Sequence, residues 1–210
     1  MTGEPPLRAL MWAIDENQDA AVAAMLAADP GLARAQIETG ATRAEAKAWM
    51  LPTIGHYIYR GDSALHIAAA GWRVEIARRL LALGADSQAR NRRGATALHY
   101  AADGTPGAPT WNPAAQARVV TLLIEAGADP NAADMNGVTP LHRAIRTRCA
   151  AAVAALLAGG ADPLKPNGKG STPLQLASWQ TGRGGSGSPA AKAQQAEILR
   201  RLAAPGDSVR

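Results

Sequence analysis

The chain has no phenylalanine and a single cysteine, Cys149, and only four lysines stand among its 22 basic residues. One cysteine permits no intramolecular disulfide, which excludes a disulfide-stapled fold and leads us to expect a reducing, cytoplasmic setting. No run of about 18 apolar residues occurs, so no membrane-spanning helix is expected. The opening residues MTGEPPLR include Glu4 and lack an apolar signal core, which argues against export by that route. The net charge of +5 and the pI of about 9.9 come mostly from arginine, and the heavy use of Ala, Arg and Gly is what a GC-rich bacterial genome gives. With no dense basic run and no nucleic-acid motif, this charge does not point to DNA or RNA. Catalytic constellations are missing too: there is no G-x-S-x-G elbow, and Ser and Asp fall mostly at caps and turns. The Gly-rich TGRGGSGSP at 181–189 lacks the phosphate-loop spacing and a preceding strand, so it reads as a linker between helices. No enzyme activity, cofactor or metal is expected.

What the chain does have is repetition. Ser63-Ala64-Leu65-His66 recurs as Thr96-Ala97-Leu98-His99, Thr139-Pro140-Leu141-His142 and Thr172-Pro173-Leu174-Gln175, with spacings of 33, 43 and 33 residues. The first three copies are followed by Gly-Ala-Asp, beginning at Gly84, Gly127 and Gly160. A Ser or Thr at each start can cap a helix by accepting from a free backbone N–H, and Pro at the next position loses no helical hydrogen bond. A second helix follows with apolar residues at helical spacing, Val74, Ile76, Leu80 and Leu81 in one copy and Val119, Leu122, Leu123 and Ile124 in the next. The glycines end these helices at positive φ, and Asx, Pro and Gly turn residues lead on to the next cap.

A 33-residue period with this T-P-L-H start resembles the ankyrin repeat. The resemblance implies an all-α solenoid of stacked helix-turn-helix units with hairpin-like turns, an N-terminal capping repeat and about four further repeats. We expect one domain over 1–210: capping helices 6–30, an insertion 31–60, repeats 61–93, 94–136, 137–169 and 170–204, and a tail 205–210. Asp19 is placed to cap the second helix of the capping repeat. Single units cannot bury their apolar faces, so neighbours must stack. His66, His99 and His142 occupy one repeat position, and residues in separate units do not converge on one zinc; the resemblance makes them structural, tying neighbouring units together.

Three stretches depart from the pattern. Within 31–60, Thr42 to Met50 reads as a short helix with Thr42 and Glu45 as a capping box, and His56 to Tyr59 reads as extended. Residues 104–113 and 181–189 lengthen the turn between the two helices of their repeats, two repeats apart. They are expected to flank a notch over Arg146-Thr147-Arg148-Cys149.

Ankyrin repeats, as the resemblance implies, bind partners through the turn tips and the exposed side of the first helices. Carried over by position, this selects Arg92, Arg93, Met135, Asn136, Arg146, Thr147, Lys169, Trp179 and Gln180, with Trp111 in the first inter-helix loop as a further anchor. The set is basic with aromatic members, which points to a protein partner with an acidic surface, bound by a monomer. A second reading places a small-molecule or anion site, with or without catalysis, in the N-terminal insertion near His56 and Tyr59.

Overall fold

The computed structural model describes residues 4–178 and 189–203. Ten helices occur among them: α1 Glu4–Asp15, α2 Asp19–Ala28, α3 Ala64–Ala70, α4 Val74–Ala82, α5 Ala97–Ala102, α6 Pro113–Glu125, α7 Pro140–Arg146, α8 Ala150–Ala158, α9 Pro173–Ser178 and α10 Pro189–Ala203. One short hairpin, β1 Met50–Leu51 with antiparallel β2 His56–Tyr57, lies between α2 and α3. The odd-numbered helices pack side by side in one row from α1 to α9, and α4, α6, α8 and α10 form a second row behind it.

Helices of six or seven residues are not stable alone. Here the core side of the first-helix row is apolar and closed: Leu65, Ile67, Ala68, Leu98, Ala101, Leu141 and Ala144 have no exposed surface. Alanines let the rows approach, and Leu80, Leu123 and Leu156 from the second row fill the space between. Each such leucine contributes roughly 1.5–3 kcal/mol by leaving water.

The histidines supply the polar stitching. In α3, α5 and α7 the cap residue's backbone N–H donates to the Nδ1 of His66, His99 or His142, 3.1 Å away in each unit. The opposite ring nitrogen, Nε2, reaches the next unit's backbone carbonyl at Ala95, Val138 or Ser171, 3.2, 2.9 and 3.0 Å away. One ring therefore closes a helix start and joins two units. Burial, aided at His99 by the nearby Arg143 charge, lowers the pKa of all three, at His99 to about 3.

Two local expectations are corrected. Asp19 is the first residue of α2 and makes no capping bond, its carboxylate lying instead in the favourable first turn of the helix dipole. Residues 42–50 do not form an α-helix: Thr42 accepts from the Glu45 N–H, a 3-10 turn runs from Ala46 to Trp49, and the chain then enters β1. Pairing of Met50 with Tyr57 and burial of Trp49 outweigh the local helical preference.

Candidate partner-binding surface

Three turn tips are built alike. The Asn91, Asp134 and Asn167 side chains each accept from two backbone N–H groups of their own turn, those of Arg93 and Ala95, of Asn136 and Val138, and of Lys169 and Ser171. This Asx geometry turns the two residues after it outward. Arg92, Arg93, Met135, Asn136 and Lys169 are accordingly exposed, Met135 by 77%. Adjacent tips are joined through the backbone, the N–H groups of Arg92, Met135 and Gly168 donating to the carbonyls of Arg60, Arg93 and Asn136 at 2.8–2.9 Å. Gly137 shows how tightly the tips approach: its φ is +71°, and a Cβ there would lie 2.5 Å from the Gly168 nitrogen.

Beneath the tips lies the first-helix row. Arg143 of α7 bridges Asp103 at 3.1 Å and Asp134 at 3.3 Å, joining the end of α5 to the next tip. Arg146, one turn further, is exposed, and the Thr147 hydroxyl donates to the Arg143 carbonyl. Among the described residues no carboxylate pairs with Arg60, Arg92, Arg93, Arg146 or Lys169.

Over the N-terminal units this same face is covered by the insertion. The buried Asp15 carboxylate at the end of α1 accepts from the Thr53 and Ile54 N–H groups at 3.2 and 2.8 Å. Ile54 sits over Gly71 at the end of α3, where an added Cβ would come within 2.9 Å of it. His56 stacks on the Tyr100 ring of α5, centroids 4.3 Å apart, and Arg92 donates to the Ala41 carbonyl. Tyr100 in turn donates to the buried Asp62, which also receives Asn91 at 2.9 Å and the Tyr59 N–H at 2.7 Å. The half-buried Tyr59 ring lies under Arg93 and Arg92, 4.1 and 5.3 Å from its centroid. The polar cluster at His56 and Tyr59 is thus engaged in contacts of the fold. A cleft of about 350 Å3 opens elsewhere, lined by Trp72, Arg73, Thr110 and Arg118.

Helix pairs in two rows, stitched by the in-register histidines and ending in Asx-built tips, decide the family. This chain belongs to the ankyrin repeat family. Family models of ankyrin repeats match along most of it: a three-copy model over residues 10–108, a single-repeat model over 93–135, and a many-copy model over 123–177. No curated protein matches the chain. Ankyrin repeats generally serve as protein–protein interaction modules, and ankyrin repeat proteins are typically not enzymes. No helix among the described residues is long and apolar enough to cross a membrane.

The tip residues and Arg146 are exposed, while Trp179 and Gln180 lie outside the described residues. Trp111 is half-buried, and its indole N–H donates to Gln116, which itself donates to the Ala101 and Asp103 carbonyls. The expected notch is not an open gap. Gly104 lies directly on Cys149, where an added Cβ would meet the sulfur at 2.7 Å, and Gly107 reaches Ala190 of α10. The first loop therefore crosses the uninserted repeat, and Arg148 and Cys149 beneath it are buried. The second loop, 181–189, lies outside the described residues except for Pro189, the first residue of α10.

Asp15, Asp62 and Tyr100 escape a reading by motif. Asp15 looks like one acid of a helix junction, and Tyr100 like a filler one place after the repeat histidine. For Tyr100 the signal is Asp62 immediately before the Ser63 cap, an acid that needs donors once buried; nothing comparable marks Asp15.

Proposed function

We propose that this ankyrin repeat chain is a non-enzymatic adaptor that binds an acidic segment of another protein through Arg92, Arg93, Met135, Asn136, Arg146, Thr147 and Lys169. The observation that carries this is the set of cations without carboxylate partners on the tip and first-helix face. Arg143, on the same face, is by contrast neutralised by two aspartates, and on the outer helices Arg78, Arg118, Arg200 and Arg201 pair with Glu75 or Glu197. Exposed arginine beside Tyr59 and Met135 supplies both charge attraction and desolvatable surface, the combination that concentrates interface energy. Trp179 and Gln180 extend the surface by repeat position, and Trp111 contributes through its exposed edge.

The test is fluorescence anisotropy with labelled oligoglutamate, comparing wild type with Arg92→Glu/Arg93→Glu/Arg146→Glu/Lys169→Glu. All four sites are exposed, so the variant keeps its core. Affinity is expected to fall at least tenfold and to weaken with salt in the wild type. Equal affinity in both proteins rejects the assigned surface.

A further inference from the structure

Tyr100 and Arg143 hold the same position in successive units, directly after the repeat histidine. Tyr100 is buried with His56 of the insertion stacked on its ring, whereas the Arg143 guanidinium is bonded to Asp103 and Asp134 of the repeats themselves. The difference marks where the insertion ends. It occupies the face from the end of α1, at Asp15, across α3, at Gly71, to α5, at Tyr100. It is no loose flap, since Ile37, Leu51 and Ile58 are fully buried in the common core. The backbone N–H groups of Ile37, Ala41, Ile58 and Gly61 are all bonded within the insertion and its junction to Ser63.

We infer that residues 36–60 form a built-in stop in the ankyrin groove, confining an acidic partner to a short open stretch beyond α5, over α7 and α9. The stop's outer edge is Tyr59 with Arg92 and Arg93 across its ring, so the wall that ends the groove is itself cationic and aromatic. The side wall is the Met135–Asn136 and Gly168–Lys169 tips, and the floor carries Arg143 and Arg146. An extended acidic segment fits this chemistry because its carboxylates meet the free cations of wall and rim, while the floor's own aspartates are already taken by Arg143. Two helices, each taking up about 8–10 Å of the row, make the open stretch roughly 20 Å long. At about 3.3 Å per residue, that holds about six to eight extended residues.

This inference rests on the acidic-partner reading and is tested so that the two can fail separately. Labelled oligoglutamate peptides from about four to about sixteen residues are titrated into the full chain at fixed salt. Affinity is expected to climb steeply up to about eight residues and then change less than about twofold. A second titration uses Asp15→Ala/His56→Ala, which removes the acceptor of the Thr53 and Ile54 N–H groups and the ring on Tyr100. Hydrogen exchange first establishes that amides of 36–60 have lost protection while those of α5 and α7 have kept it. In that protein the plateau should move to longer peptides. Affinity that keeps rising through the longest peptide in the wild type overturns the stop while leaving an acidic partner intact. A plateau unchanged in the released variant overturns it as well. Absence of binding at every length removes both readings. If the double variant does not fold, the wild-type length series alone decides.

Discussion

The N-terminal and C-terminal units are built from one pattern and end up with different surroundings. Leu65, Leu98 and Leu141 have no exposed surface, whereas Leu174, at the same repeat position in the last unit, is 41% exposed. In the first units the repeat position after histidine is sealed by the insertion through His56 and Tyr100, and a buried Asp62 gathers donors from three residues. The last unit has Gln175 in place of histidine, and its side chain accepts from the Thr172 N–H of its own cap. A repeat array thus gains stability from neighbours on both sides, and its two ends are free to specialise. Here one end of the face is closed by added chain, and among the described residues cations without carboxylate partners run from its edge, at Arg92 and Arg93, to the Lys169 tip.

The sharpest break of this comparison is a pair of truncations. Leu98→Ala should cost about 2–5 kcal/mol, because the side chain leaves a cavity between two helix rows. Leu174→Ala should cost under about 1 kcal/mol, since much of that side chain already meets water. Urea denaturation of both variants checks it. Equal losses would mean that the last unit is as fully packed as the interior ones.

Much of this division can be read from residues alone, and the parts that cannot have a common cause. The units, their caps and the glycine stops are local, so Thr139, Pro140 and Gly127 announce themselves. The tip residues follow from the same period, which is why Arg92, Arg93, Met135, Asn136 and Lys169 fall together on the surface. The course of the insertion is set by contacts across long sequence separations: Asp15 with Ile54, His56 with Tyr100, Arg92 with Ala41. No period encodes those pairs. The expected helix at 42–50 failed for the same reason, its local preference yielding to the pairing of Met50 with Tyr57. The notch over Arg148 and Cys149 failed because glycines at 104 and 107 let the first loop lie down across it.

Acid offers a second way to sharpen the contrast, because only the interior units carry the buried histidine. His99 is held neutral, its pKa lowered to about 3 chiefly by burial and then by Arg143, and His66 and His142 are shifted the same way. Above the unfolded value of 6.5 both states are neutral and these rings add no pH dependence. As pH falls below 6.5 the unfolded chain takes up protons that the folded chain refuses, so stability is lost progressively from there toward about 3. The slope is about 1.4 kcal/mol per pH unit for each fully shifted ring. Unfolding midpoints measured from pH 7.5 to 5 should fall accordingly, and replacing His99 with Gln should flatten the curve. An unchanged slope in that variant would show that other groups carry the acid sensitivity.

The smallest effect comes from the last unit's own version of the stitch. Gln175 accepts from the Thr172 N–H at 2.9 Å and returns its backbone N–H to the Thr172 hydroxyl, preserving the cap while lying exposed. His142 makes the matching cap bond and also reaches the Ser171 carbonyl of the next unit, in a buried setting. Gln175→Ala therefore removes an exposed cap acceptor and should cost about 0.5–1 kcal/mol. His142→Ala removes a cap acceptor, a bond between units and buried ring volume, and leaves the Thr139 N–H and the Ser171 carbonyl without their partner; about 2–3 kcal/mol is expected. Hydrogen exchange adds a spatial readout: His142→Ala should loosen α9 as well as α7, while Gln175→Ala should loosen α9 alone. If α9 keeps its protection in His142→Ala, the histidine caps its own helix and the coupling between units lies in the apolar contacts.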